Sequence, residues 1–249
     1  MGSFLLALLL AAGIADYPPS DCILLQRGTT VPLRWNLPGQ HFQLEVVSPG
    51  QPVILRSLEE RRFDLTVAPG RVYRWTVTSN GKARMTRSFS VAGEFAYHRD
   101  GHNGTGEPGG HIQARLERDS AGMNLLVDCA QDRLHYLFVE PNLKFLLSAR
   151  GGDGREGQPG MDVPNNPCRP GNPGGAGGWG GEVRIRTVSA PWRDYLEVDV
   201  SPGQGGPGGR GGRAVWSHVA GYDSARPQGP QGPPGPAGRM GTVITSIER

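Results

Sequence analysis

Four side chains with ligand chemistry fall close together: His98, Asp100 and His102, two residues apart, and His111 beyond them. Imidazole nitrogens and a carboxylate suit a divalent metal, and a curled segment could bring them round one ion. Gly101, Gly104 and Gly106 make the segment a linker instead, and Asp100 to Glu107 lacks the oxygen-ligand spacing of a calcium loop. No metal and no cofactor is assigned. His218, Asp223 and Ser224 have the residue types of a nucleophilic triad, but nearness in sequence is not that geometry. There is no Gly-x-Ser-x-Gly elbow and no Gly-Lys-Ser/Thr phosphate loop. Gly203-Gln-Gly205-Gly206-Pro-Gly208 imitates a dinucleotide fingerprint, but it lies inside a glycine repeat with no helix after it. No catalytic residue is named, and the chain is not expected to be an enzyme.

Binding chemistry is better represented. Trp179, Trp192 and Trp216 are large flat rings that either fill a core or stack on sugars. Between Cys22 and Ala92 there are ten Lys or Arg against four Asp or Glu. Arg71, Arg74, Lys82, Arg84 and Arg87 fall on segments read as adjacent strands, a candidate patch for acidic polysaccharide or an anionic cell surface. The competing reading of these charges is a solvated sheet face. Nucleic acid is not expected, because no aromatic platform accompanies the charges. Asn103-Gly-Thr105 fits an N-glycosylation acceptor, informative only in a eukaryotic secretory host.

The elements that must position these side chains are of two kinds. From Cys22 to Ala92 short segments alternate apolar and polar residues: Leu33 and Trp35, Phe42 to Val46, Phe63 to Val67, Tyr73 to Val77, and Phe89 with Val91. That is the period of half-buried antiparallel strands, with Pro38-Gly39, Pro49-Gly50, Pro69-Gly70 and Asn80-Gly81 as turns. From Gly93 onward glycine recurs at every third position: at Gly151, Gly154, Gly157 and Gly160, at Gly171 to Gly180, at Gly203 to Gly212, and at Gly229 to Gly241. A polyproline II strand has three residues per turn, so this spacing leaves one face bare along its length. The tracts alternate with strand-like segments at His111 to Glu117, Asn124 to Cys129, Leu134 to Val139, Leu143 to Ala149, Glu182 to Val188, Tyr195 to Val200, Ala214 to Val219 and Thr242 to Ile247. A loose internal repeat follows, in which a strand runs into a tract and a tract returns into a strand. The expected fold is all-β, with a sheet body carrying a bundle of polyproline II-like strands.

Val31-Pro-Leu-Arg-Trp35, Phe42-Gln-Leu-Glu-Val46 and Leu65 to Val77 together resemble a fibronectin type III domain of the immunoglobulin-like class. The resemblance covers about 70 residues and implies a β-sandwich spacer or binding module, with Trp35 in the core and Tyr73 as a tyrosine corner. The glycine-rich part is similar in composition to collagen-like repeat proteins exported by bacteria. Its runs are too short for a collagen triple helix, so an intrachain bundle and a monomer are expected ahead of a homotrimer.

Phe4 to Ala12 is apolar and Gly13-Ile14-Ala15 is small, which reads as a signal peptide over residues 1–15 despite the absence of Lys or Arg in Met1-Gly2-Ser3. The expected division is that leader, a sandwich over 16–92 and a glycine-rich domain over 93–249. Cys22, Cys129 and Cys168 fit an exported chain with one disulfide, Cys129 to Cys168 being the expected pair, with Cys22 pairing with either, or all three reduced, as the alternatives. No later segment is apolar enough to cross a bilayer. The expected location is secreted, periplasmic or cell-surface. The expected function is structural or adhesive, toward extracellular polysaccharide or a neighbouring cell-surface protein, with a carbohydrate-binding accessory module as the alternative.

Overall fold

A computed structural model describes residues 16–81, 83–119, 121–129, 132–140, 142–164, 169–188, 191–215 and 228–248. The leader expected over 1–15 lies outside the described residues, as do Lys82, Cys168, Trp216, His218, Asp223 and Ser224. Among the described residues the chain is all-β, with no α-helix and one short 3-10 turn at Trp192–Asp194.

The first seven strands are β1 (Cys22–Leu25), β2 (Thr30–Arg34), β3 (Phe42–Val47), β4 (Ile54–Leu58), β5 (Arg62–Thr66), β6 (Val72–Ser79) and β7 (Ala83–Val91). In β3 the apolar Phe42, Leu44 and Val46 are buried while Gln43, Glu45 and Val47 face out, because successive side chains leave a strand on opposite faces. β2 pairs antiparallel with β5 as one layer; β4, β3, β6 and β7 pair antiparallel as the other. Asn80 (φ 47°) and Gly81 (φ 71°) carry the chain from β6 into β7. Trp35, Phe42, Leu44, Leu65, Trp75 and Phe89 fill the space between the layers.

The rest of the chain supplies β8 (Ala96–His98), β9 (His111–Arg118), β10 (Met123–Cys129), β11 (Asp132–Phe138), β12 (Phe145–Ser148), β13 (Val163–Pro164), β14 (Glu182–Thr187), β15 (Leu196–Asp199), β16 (Ala214–Val215) and β17 (Thr242–Ile247). β8, β12 and β15 form a parallel three-stranded sheet. The remaining long strands extend the first sheet into one of ten strands, ordered β17-β14-β9-β10-β11-β1-β7-β6-β3-β4. That sheet runs unbroken across the boundary expected at residue 93.

β1 makes the junction. It pairs parallel with β7 on one side and with β11 on the other. Cys22 and Leu24 point into the core shared with β2 and β5, whereas Leu25 points into the core shared with β12. β11 divides in the same way, Leu137 toward the first core and Tyr136 and Phe138 toward the second. The two partner layers therefore cover opposite faces of one sheet, and its central strands are buried on both faces, as parallel pairing requires.

Candidate functional surface

The tracts extend the second pair of layers. β8, β12 and β15 run outward into residues 99–104, 150–161 and 200–212; residues 106–110, 169–181 and 228–241 return into β9, β14 and β17. The outward tracts hydrogen-bond to each other in parallel: the N–H groups of Gly151, Gly154, Gly157 and Gly160 donate to the carbonyls of Ser201, Gln204, Pro207 and Arg210 at 2.7–2.9 Å. The returning tracts do the same, Gly171, Gly174, Gly177 and Gly180 donating to Pro230, Pro233, Pro236 and Arg239 at 2.8–3.0 Å. Antiparallel bonds join the two layers, among them Gly203, Gly206, Gly209 and Gly212 to Gly178, Gly175, Asn172 and Arg169 at 2.8–2.9 Å. Each series steps by three residues, the period of a polyproline II strand.

Why glycine is required follows from what a Cβ would meet. At Gly206 it would be driven into the carbonyl of Arg155, at Gly174 into that of Gly206 and at Gly235 into that of Gly175, all of them backbone. The number of bare faces tracks the number of neighbours. Tract 228–241 has a single glycine phase, set against tract 169–181. Tract 200–212 has two, Gly203, Gly206 and Gly209 against tract 150–161 and Gly205, Gly208 and Gly211 against tract 228–241.

The two outer faces of this bundle differ. On the outward layer, carboxylates and amides cover backbone donors that the glycine ladders leave over. Asp100 Oδ1 accepts from the Ser148 hydroxyl at 2.6 Å and the Arg150 N–H at 2.7 Å; Asn103 Oδ1 accepts from Asp153 N–H at 3.2 Å; Asp153 Oδ1 accepts from Gln204 N–H at 2.8 Å; Asp162 Oδ1 accepts from Arg213 N–H at 2.6 Å. Burial alone would raise the Asp100 pKa, but the Ser148, Arg150 and His98 contacts outweigh it and hold the carboxyl below 3.8. Asp153 and Asp162 were not singled out from sequence, and Asp100 and Asn103 drew attention there only as a metal ligand and a glycosylation acceptor. Their signal was there in the steps of about 50 residues that separate donor from acceptor, one repeat unit apart.

The returning layer is apolar outside. Pro173, Ala176 and Trp179 stand exposed at every third position of one tract, with Pro230, Pro233, Pro236 and Arg239 on its neighbour. Trp179 is 59% exposed, and the Arg239 guanidinium lies 5.4 Å from its ring centroid. Trp192 does not join it. That ring packs against the second core with Arg193 4.8 Å above it, and all of β14 separates it from Trp179, roughly 20 Å of strand.

The basic residues of the first sandwich also divide. Arg74 opposite Ser88, Thr76 opposite Thr86 and Thr78 opposite Arg84 share one face of β6 and β7, so Arg74 and Arg84 stand on the outer face, four residues apart along the sheet. Arg87 lies opposite the buried Trp75, on the other face, and Asp16 pairs with it at 3.0 Å. Arg71 precedes β6, its guanidinium 3.4 Å from the Pro49 carbonyl. Thr76 and Glu45 interrupt the outer row.

Cys22 is a free, buried thiol that donates to the Pro19 carbonyl at 3.3 Å, and burial pushes its pKa up to about 12. Whether Cys129 meets Cys168 lies outside the described residues. His98 lies within 3.3 Å of both Glu94 and Asp100, while His102 turns to Glu107 at 3.0 Å, so the histidines of the linker face separate carboxylates. Among the described residues no group of three or more His, Cys, Asp or Glu could hold a metal ion, and no helix is long and apolar enough to cross a membrane. No family model matches the chain, and no curated protein matches it.

Proposed function

We propose that this is a non-enzymatic exported structural or adhesive protein whose glycine-tract bundle acts as a stiff display surface toward an extracellular polymer or a neighbouring cell. One observation carries the reading: each of the four long tracts, 150–161, 169–181, 200–212 and 228–241, is tied to two or more others by backbone bonds repeating at three-residue intervals. A surface fixed in this way loses little conformational entropy on binding, the usual advantage of a preorganised binder. The fibronectin type III-like reading of residues 22–92 belongs to the same proposal. It is supported by the buried Trp35 and by Tyr73, whose hydroxyl accepts the Ala68 N–H at 2.8 Å in the manner of a tyrosine corner. Such a sandwich would serve as the spacer from which the bundle projects.

A second reading, a carbohydrate-binding accessory module, is favoured by exposed Trp179 on a flat proline and alanine face. Glycan-array binding by the whole chain and by Trp179→Ala separates the two. The display reading expects binding to change by less than about threefold; a loss of tenfold or more would transfer the function to the ring. Fast hydrogen exchange at Gly203, Gly206 and Gly209 would remove the rigid surface on which the first reading stands.

A further inference from the structure

Several elements close a layer of the molecule at an open edge, and most are guarded. β4 places Arg56 opposite the buried Leu44, so that a charge points toward the core side at the edge of the ten-stranded sheet, a known block to strand addition. β15, at the edge of the three-stranded sheet, carries Glu197, paired with Lys144 at 3.6 Å. Tract 228–241 contains Pro230, Pro233, Pro234 and Pro236, which have no N–H to offer. It also covers the free carbonyls of its neighbour, Gln231 Nε2 donating to Gly208 at 3.0 Å and Gln228 Nε2 to Gly211 at 3.3 Å.

β17 is different. Thr242-Val-Ile-Thr-Ser-Ile247 ends the ten-stranded sheet with no proline and no charge, and all its residues are exposed. Val243 is 39%, Ile244 41% and Ile247 75% exposed. Its backbone orientation is fixed by β14: Thr242 N–H donates to Gly181 and, just beyond the strand, Glu248 N–H donates to Thr187, both at 3.0 Å. Alternation along a strand then turns the N–H and C=O of Val243, Thr245 and Ile247 toward the open edge. By register with Val183, Ile185 and Thr187 the same residues stand on the core face. The edge-facing and core-facing sets coincide.

We propose that β17 is a self-recognition strand, and that a second copy of this chain pairs with it antiparallel about a two-fold axis at Thr245. Isologous contact requires a patch complementary to itself. Val243, Thr245 and Ile247 meet that requirement, since branched aliphatic, threonine, branched aliphatic reads alike from either end. Centring on Thr245 puts each Val243 beside Ile247 of the other copy and Thr245 beside its own equivalent. These are all hydrogen-bonded pairs, about six backbone bonds, and the exposed aliphatic groups of the core face close against each other. Ile244 falls opposite Ser246 on the outer face. A register shifted by one residue would set edge-facing groups against inward-facing ones and lose the bonds. The strand is short beside the 20–30 residues a side of a standard interface, so the dimer forms at roughly 10–500 µM.

The test is sedimentation equilibrium of the whole chain from about 5 to 500 µM, with Thr245→Pro and Thr245→Lys beside it. The expected result is a rise in mass from 26.7 kDa toward twice that value, fitted by a monomer–dimer equilibrium alone. In both variants the dissociation constant rises by about thirtyfold or more, because one removes the central edge donor and the other sets like charges together at the axis. Thr245 is exposed, so the circular dichroism of the folded chain is retained; should the proline variant unfold, the lysine variant decides alone. A monomer at every concentration, or a dimer equally tight in the folded variants, overturns the proposal. So does a mass that climbs past twice 26.7 kDa, the mark of head-to-tail addition of β17 to β4.

Discussion

The first sandwich and the glycine bundle bury backbone by opposite means. In the sandwich, strands stand apart and side chains fill the gap: Trp35 packs edge-on to Phe42 at 5.7 Å and tilted to Trp75 at 6.1 Å between ring centroids. In the bundle no side chain intervenes, and carbonyls of one tract occupy the space a Cβ would take on the next. Specificity rests in summed side-chain volume in the one and in the position of missing atoms in the other. A volume can be conserved by several residues, whereas a missing Cβ can be supplied by glycine alone.

The largest expected effect is in the sandwich. Trp75→Ala empties the centre of its core and should lower stability by about 3–5 kcal/mol, read by denaturant unfolding. Gly206→Ala should cost about 3 kcal/mol, since the Arg155 carbonyl it meets belongs to a tract bonded on several sides; Gly50→Ala, with φ +71° but open space around it, should cost only about 1 kcal/mol. If hydrogen exchange shows Trp75→Ala loosening residues 22–91 alone and Gly206→Ala loosening the tracts alone, the contrast is sharpened. Equal loosening of both would break it and mark one cooperative unit joined through β1 and β11.

The smallest effect is acid-dependent. Asp100 is held below its ordinary value of 3.8 in the folded chain, so its contribution is complete above about pH 4 and is lost as pH falls toward the folded value. Asp100→Asn should flatten the acid side of the stability–pH curve of the bundle and leave the sandwich side unchanged. An unaltered slope would assign the acid sensitivity elsewhere.

Much of this architecture was legible from residue spacing. The alternation at Phe42 to Val46 and the triplet glycines at Gly203 to Gly212 each state a period, and a period states a structure. The doubled phase of tract 200–212, read with its neighbours, even encodes that it is pressed from two sides, by tract 150–161 and by tract 228–241. What stayed hidden was the shared sheet. Cys22 to Leu25 shows no alternation, because its two faces enter two apolar cores, and a strand without alternation has no period to detect. β4 escaped for the opposite reason, being exposed on most positions at an edge. The arginines looked like one patch until register placed Arg87 behind the sheet. The tryptophans looked like one platform until β14 set Trp179 and Trp192 at opposite ends of a strand.

The single glycine phase of tract 228–241 carries a rule for how such a molecule can lengthen over evolution. Gln231, Pro234, Ala237 and Met240 occupy the side that any further hairpin would have to touch. Duplicating the last unit would leave those side chains trapped between layers, so growth demands that the former outermost thread be rewritten to glycine before the newcomer can seat. A lineage of these proteins would then keep its width far longer than its surface residues.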